Sequence, residues 1–330
     1  MEKNKKRTII FLLSCTFLLL VGLLLGIVLG AAHISISKIG ESLFSRSDEL
    51  ELALIRDVRI PRALCALFTG GVLGVTGAMI QGVTRNPIAE PSLLGVSQGA
   101  TLAVAVFYAT GILISTGSVM AAALIGAVFS GILVIGFLSQ GANSSSITKI
   151  LLGGTALSTF FLSLTTIIGL LSNKAQLLGF WIGGGFRNAG WSDFRLILII
   201  GMAGLLLAVL LSGKINILSL GDDVAVGLGQ NPEKIRLYTL LIMIPMCAAA
   251  VAVGKNIGFV GLIVPQIVRK ALGEDYRKVI PASFLLGAVI LTYADIAARL
   301  AISPYEMPVG MFTALIGVPF FIAAARKERG

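Results

Sequence analysis

The stretch between Glu90 and Lys149 contains 58 consecutive residues without a charged side chain. A helix needs about 20 apolar residues to cross a bilayer, so this stretch is too long for one crossing. It is interrupted at ATGILISTGS (109–118) and SQGANSSS (139–146), and we therefore expect two membrane-spanning helices here. A soluble domain is excluded, because only 13% of the chain is charged, against about 25% in an ordinary globular protein.

Eight further apolar segments bring the expected number of spans to ten. Five of these segments contain no charged residue: 9–32, 63–84, 150–173, 196–213 and 237–254. The other three lie at about 258–272, 279–300 and 308–325. The first is longer than the roughly 7–15 apolar residues of a signal peptide, so we interpret it as an uncleaved span. The sequence predicts an all-α polytopic membrane protein with ten transmembrane helices in a single transmembrane domain, residues 1–330.

The basic residues indicate how such a protein is oriented. An even number of spans places both termini on one side of the membrane. If that side is the cytoplasm, 16 of the 26 Lys and Arg residues lie in inner segments, as the positive-inside rule requires. We therefore predict cytoplasmic termini, and we attribute the net charge of +10 to orientation and not to nucleic-acid binding.

The residues needed for catalysis or metal binding are scarce. There is one histidine, His33, and the cysteines Cys15, Cys65 and Cys247 all lie in apolar stretches. No GxxxxGK[ST] phosphate-binding loop occurs in the chain. We expect no enzymatic activity, no cofactor and no metal site here, so any ATP hydrolysis must take place in another chain.

Asp295 is the clearest acidic residue inside an apolar segment, LLGAVILTYADIAARL. A carboxylate at the centre of a bilayer costs about 2.5–3.5 kcal/mol on insertion scales, so it usually has a partner. Arg299 lies four residues later and hence on the same helical face. We interpret Asp295 and Arg299 as a structural intramembrane pair, with a proton relay through Asp295 as the alternative.

The loop at about 214–236 is the largest predicted on the cytoplasmic side. It contains apolar residues at i, i+4 and i+8 with two acids between them, flanked by glycines, which predicts a short amphipathic helix. Because the acids disfavour an anionic lipid surface, we expect this helix to dock onto a partner protein. The residues concerned are Leu220, Gly221, Asp222, Asp223, Val224, Leu228 and Gly229.

Several longer motifs are specific enough to indicate a family. RIPRALCALFTGGVLGVTGAMIQGVTRNPIAEPSLLGVSQGA (59–100) resembles the signature of FecCD-type permeases, the membrane subunits of ABC importers for iron–siderophore complexes, haem and vitamin B12. The resemblance continues in order through WIGGGFRNAGW (181–191), LSLGDDVAVGLGQNPEKIR (218–236), IGFVGLIVPQIVR (257–269), ADIAARL (294–300) and MPVGMFTALIGVPFF (307–321). One departure is Gln266, where the family commonly has His.

The resemblance implies the type II ABC importer permease fold in a bacterial cytoplasmic membrane, with residues 1–330 forming one permease domain. It also implies a second permease subunit, identical or paralogous, and two cytoplasmic ATP-binding subunits. An extracellular substrate-binding protein, a lipoprotein in some hosts, would deliver the cargo.

The resemblance also implies roles for particular residues. The 218–231 region corresponds to the element that couples to the ATPase. Four arginines correspond to positions that receive carboxylates of the binding protein: Arg56, Arg59, Arg62 and Arg299. For these, surface pairing of Arg56 with Asp57 and pairing of Arg299 with Asp295 are the alternatives. The inner gate corresponds to Ser144, Ser145, Ser146 and Thr148.

The resulting hypothesis is a permease that moves a ferric siderophore inward, driven by ATP hydrolysis in its partners. We expect no iron ligands in the chain, because a deep binding site would trap the cargo. Import of haem or cobalamin by the same machinery is one alternative. A proton-coupled secondary transporter that uses Asp295 is an alternative of a different class.

Overall fold

The computed structural model describes residues 2–30, 50–111, 115–139, 147–303 and 305–327. Within these ranges the regular structure is helical, apart from an isolated β-bridge between Ile302 and Tyr305. The helices are α1 (Glu2–Val28), α2 (Leu50–Thr84), α3 (Val96–Thr110), α4 (Thr116–Ser139), α5 (Ile147–Leu171), α6 (Ala175–Gly183), α7 (Trp191–Ser219), α8 (Asp222–Gly227), α9 (Pro232–Gly254), α10 (Val260–Leu272), α11 (Tyr276–Leu300) and α12 (Val309–Lys327). Helix α2 includes a π-helical segment, Ile55–Arg59, and a 3₁₀ turn, Pro91–Leu94, precedes α3.

Seven helices in the described ranges are long and apolar enough to cross a membrane: α1, α2, α4, α5, α7, α9 and α11. Helix α3 and the apolar part of α12 are shorter, and α10 has only 13 residues. At 1.5 Å per residue α10 is about 20 Å long, which is less than the thickness of the hydrocarbon core. The polytopic all-α class is confirmed, whereas the count of ten spans remains a prediction.

Helix α2 lies at the centre of the bundle and packs against α7, α9, α10 and α11. Glycines make this close approach possible. Gly70 faces Gly287 of α11, and Gly77 faces Gly261 of α10; in both cases an added Cβ would overlap a backbone carbonyl oxygen. Small residues serve this purpose in membrane bundles, where helices gain from backbone proximity. The result is a tightly packed block of α2, α10 and α11.

The bundle has two distinct ends. At the α8 end, Arg85 follows α2 and donates from Nη2 to Oδ1 of Asp222 at 3.0 Å. Helix α9 begins near α8 and extends for 23 residues, or about 34 Å, to the opposite end, which we call the distal end. There Lys255, which follows α9, and Arg62, in the first half of α2, line the same cavity. A continuous helix therefore connects α8 with the distal end.

Candidate functional site

Helix α8 is held against the bundle by one carboxylate. Both oxygens of Asp222 accept from Nη2 of Arg236 on α9 at 2.8 Å, and Oδ1 also accepts from Arg85. Gly221 enters the helix with φ at +131°, and Gly229 leaves it with φ at +72°, both values that favour glycine. Ala225 is the buried residue of α8. The ion pairs and glycine turns fix α8 to both α2 and α9.

The outward side of α8 and its flanks is apolar. Four side chains that would ordinarily be buried are 43–69% exposed: Leu220, Val224, Val226 and Leu228. Asp223 is also exposed beside them. We name this set the α8 surface. An apolar patch on an anchored helix is a common feature of sites where a partner protein packs.

The loop that carries the α8 surface is shorter than the predicted 214–236. Helix α7 continues to Ser219, and α9 begins at Pro232, so the connection is 220–231. The side chain of Asn231 accepts from the backbone N–H of Lys234 at 3.0 Å and caps α9. The sequence boundaries were too wide because charged residues such as Lys214 and Arg236 lie within the helices and were placed in the loop.

A group of buried charges lies at the distal end. Arg62 donates to Asp295 in a fork, with Nη2–Oδ1 at 2.8 Å and Nε–Oδ1 and Nε–Oδ2 both at 3.2 Å. Its Nη1 donates to Oε1 of Glu306 at 2.7 Å. Nε of Arg299 is 3.2 Å from the second oxygen of Asp295. We call Arg62, Asp295, Arg299 and Glu306 the distal cluster; it links α2, α11 and the segment before α12.

Two buried arginines also cap the end of α1. Nη1 of Arg59 donates to the carbonyl oxygens of Ile27 and Val28 at 2.8 and 2.7 Å. Nη1 of Arg299 donates to those of Gly26 and Leu29 at 3.0 and 3.3 Å. The last four carbonyls of a helix have no partner within it, and inside a membrane each unsatisfied group is costly. These arginines therefore join α1 to α2 and α11.

These contacts involve three of the four arginines for which a docking role is predicted. The side chains of Arg59, Arg62 and Arg299 are 6–8% exposed, because they bind carbonyls of α1 and the carboxylates of Asp295 and Glu306. Arg56 remains at the surface, 3.2 Å from Asp57. Asp295 lies 3.2 Å from Nε of Arg299, and its bidentate partner is Arg62, which sequence spacing did not reveal. Glu306 was not identified from the sequence either.

The family position occupied by Gln266 has a structural role here. Nε2 of Gln266 donates to the carbonyl oxygen of Pro87 at 2.7 Å, and Nε2 of Gln81 donates to the carbonyl of Ala89 at 3.2 Å. Glu90 accepts from the backbone N–H of Phe259, just before α10. The 85–91 turn is therefore fastened to α2 and α10 by side-chain amides and one carboxylate.

This contact predicts which residues position 266 tolerates. Gln266→His should retain near-normal stability, because a neutral imidazole N–H can also donate to the carbonyl of Pro87. Gln266→Leu keeps a similar side-chain volume but leaves that carbonyl without its donor. This should lower the free energy of unfolding by about 1–3 kcal/mol. Thermal unfolding of the two purified variants checks the difference, and equal stability would contradict the role assigned to the hydrogen bond.

Two neighbouring cavities open at the distal end beside Lys255. Their volumes are about 320 and 240 Å³, and both are lined by Tyr108, Trp181, Asn188 and Lys255. Nζ of Lys255 donates to the carbonyl of Gly185 at 3.0 Å. Burial, and then the positive charge of Arg62, lower the pKa of the Lys255 ammonium to about 8. Sequence reasoning missed this lysine, because a single Lys in a connecting segment has no distinguishing pattern.

The gate predicted in the connection between α4 and α5 falls mostly outside the described residues. Ser144, Ser145 and Ser146 are not among them, and Thr148 lies in the first turn of α5. Among the described residues, no group of three or more His, Cys, Asp or Glu side chains is placed to hold a metal ion.

Comparison with known proteins points to one family of permeases. The model of the FecCD transport family matches residues 18–327. The iron(3+)-hydroxamate import system permease protein FhuB of Bacillus subtilis (strain 168) is 43% identical over 327 residues, covering 97% of this chain and 84% of that protein. The Fe(3+)-citrate import system permease protein YfmD of the same organism is 39% identical over 331 residues, covering 99% and 97%.

A solved structure has the same fold along nearly its whole length. It is an inward-facing metal-chelate type ABC transporter, with a TM-score of 0.83 and 27% identity, covering 96% of this chain and 98% of that one. The helices that carry the α8 surface and the distal cluster all lie within the range that the family model matches. The chain therefore belongs to the FecCD transport family.

Proposed function

We propose that the chain is the permease subunit of an ATP-driven importer that carries a ferric siderophore across the cytoplasmic membrane. Membership of the FecCD transport family, together with relatives named as hydroxamate and citrate iron permeases, is the observation that carries this proposal. ATP is hydrolysed by separate subunits, and this chain supplies the path for the cargo.

The α8 surface is the site at which an ATP-binding subunit docks. Its exposed leucines and valines offer apolar contact area to such a subunit. Asp222 connects this surface to α2 and α9 through Arg85 and Arg236. A displacement of α8 by the ATPase is therefore passed to two long helices and on to the distal end. The complete assembly contains two ATP-binding subunits, this chain, and a second permease subunit that is identical or paralogous to it.

The distal end faces outward in this proposal, and both termini are cytoplasmic. Inner segments then hold most of the basic residues, in line with the positive-inside rule. An extracellular substrate-binding protein docks at the distal end and releases its cargo there. Arg56, whose side chain is 36% exposed, is the most accessible of the four docking candidates.

The test is uptake of radiolabelled cargo, with iron as the label in siderophores and haem and cobalt in cobalamin, by a strain that lacks the gene, with and without a plasmid copy. The panel contains ferric siderophores of hydroxamate and citrate type, haem and cobalamin. We expect the deletion strain to lose uptake of a ferric siderophore. The plasmid copy should restore this uptake, and depletion of cellular ATP should abolish it. Selective loss of haem or cobalamin would reassign the cargo. Uptake that survives ATP depletion but follows the proton gradient would overturn the proposal and implicate Asp295.

A further inference from the structure

Lys255 lies where the two distal cavities meet. It is one of the few non-glycine residues with a left-handed backbone, with φ at +61°. Such a conformation costs about 1–3 kcal/mol and persists where the surroundings enforce it, often at functional sites. Here the backbone N–H of Lys255 donates to the carbonyl of Val251 at 2.8 Å, ending α9. The ammonium group lies 3.0 Å from the carbonyl of Gly185, and the residue lines both cavities.

Positive charge exceeds negative charge around the larger cavity. Its described lining includes Arg62, Arg187, Lys255 and one acid, Glu306. Glu306 is already bound to Arg62 at 2.7 Å. The remaining two cations have neutral partners: Lys255 binds the carbonyl of Gly185, and Arg187 lies 6.0 Å from the centre of the Phe180 ring. Within the described part of the chain, neither Lys255 nor Arg187 forms an ion pair.

The acid of the smaller cavity forms no ion pair with Lys255 among the described residues. Asp193 lines that cavity, but its Oδ2 accepts from the backbone N–H of Gly190 at 2.9 Å and caps α7. The charged groups that act on Lys255 are therefore Arg62 and Arg187 on one side and Asp193 and Glu306 on the other. Burial and the two arginines outweigh the acids, so the pKa of Lys255 falls to about 8. A bound anion would reverse that shift, because it stabilises the ammonium form.

We propose that Lys255 and Arg187 form a carboxylate-binding site in the distal cavities, and that the cargo it takes is a ferric chelate bearing carboxylates. The proposal rests on the proposed function, since it assigns a class to the cargo of the same importer. A guanidinium and an ammonium are the usual partners of carboxylates. Trp181 and Tyr108 form part of the wall, and the amide of Asn188 can orient a small polar anion. With only two cations the site captures cargo and still releases it.

A labelling experiment tests the site without transport. The full-length permease in lipid nanodiscs, with no partner present, is treated briefly with acetic anhydride over a range of pH, and acetylation of each lysine is measured by mass spectrometry. Acetylation reports the neutral amine, so Lys255 should titrate near pH 8. Metal-free citrate should raise its pKa and reduce labelling severalfold at pH 8. Exposed Lys214 on α7 is the control and should not respond.

Variants then separate this site from a general effect of citrate. Arg187→Gln should abolish most of the citrate protection of Lys255 while leaving the labelling of Lys214 unchanged. If citrate fails to protect Lys255 in the original protein, the site does not bind carboxylates and the proposal is overturned. If only an added substrate-binding protein without cargo protects it, the occupant is a carboxylate of the partner, which also overturns the cargo assignment.

Uptake assays distinguish the failure of this inference from the failure of the proposed function. Lys255→Gln should reduce uptake of ferric citrate at least tenfold, with little effect on the cationic hydroxamate chelate ferrioxamine B, and Lys255→Arg should restore citrate uptake. Equal losses for both chelates would overturn the inference while the importer function stands. If deleting the gene alters uptake of no ferric siderophore in the panel and of neither haem nor cobalamin, yet citrate protects Lys255, the anion site stands and the importer function fails.

Discussion

Arg62→Gln should lower the free energy of unfolding by about 3–5 kcal/mol, the range found when one partner of a buried ion pair is removed. Arg62 holds two acids at once, Asp295 at 2.8 Å and Glu306 at 2.7 Å, and its side chain is 7% exposed. Without the guanidinium, Glu306 loses its ion pair with Arg62, and Arg299 is the partner that Asp295 retains among the described residues. The expected readouts are a lower yield of folded protein and earlier unfolding in a denaturant titration.

Arg56→Gln is the matched control for this change. It removes the same charge from the same helix, six residues away, where the side chain is 36% exposed and pairs with Asp57. Exposed pairs are worth about 0–1 kcal/mol, so this variant should unfold like the original protein. Arg62→Lys should fall between the two, because an ammonium keeps the charge but cannot form the fork. Equal unfolding of Arg62→Gln and Arg56→Gln would contradict the importance of the distal cluster.

Val224→Arg should reduce ATP-driven uptake about tenfold or more while leaving the amount of permease in the membrane unchanged. Val224 is 43% exposed on the α8 surface and forms no part of the ion pairs that hold α8. A charge placed there would have to be desolvated when the ATP-binding subunit docks, and a loss of about 1.4 kcal/mol in that interface corresponds to tenfold weaker binding. The measurement pairs uptake with copurification of the ATP-binding subunit.

Val224→Ile is the control, because it keeps the apolar character and adds one methylene. It should copurify the ATP-binding subunit and support uptake like the original chain. Normal copurification with Val224→Arg would mean that the α8 surface is not the docking site. A fall in the membrane level of Val224→Arg would point instead to a folding defect, which the unfolding midpoint of the purified variant would reveal independently.

The fold class could be predicted from the sequence because the membrane imposes a strong and simple rule. Long uncharged segments must form helices, and most of the predicted spans coincide with helices of the structure. The 258–272 segment shows where this rule becomes weak. It forms the 13-residue α10, and hydropathy alone cannot say whether so short a helix crosses the bilayer or is enclosed by α2, α11 and α12.

The candidate site was predictable where it depends on local pattern. The α8 helix follows from apolar spacing between two glycines, and it forms at Asp222–Gly227. The distal cluster was not predictable in this way, because Arg62 and Asp295 are separated by 233 positions. Arg299 lies one turn from Asp295 and was an obvious partner. Which arginine forms the fork depends on how α2 packs against α11, and that depends on glycine contacts across the bundle.

The capping of α1 by Arg59 and Arg299 has a consequence for the biosynthesis of the chain. Helix α1 enters the membrane first, yet Arg299, which serves the carbonyl of Gly26, is translated 273 residues later. Until then the end of α1 is only partly satisfied, by Arg59. A truncated chain that lacks α11 therefore leaves the carbonyls of Gly26 and Leu29 without their arginine donor. Completion of α11 closes the first helix onto the finished bundle.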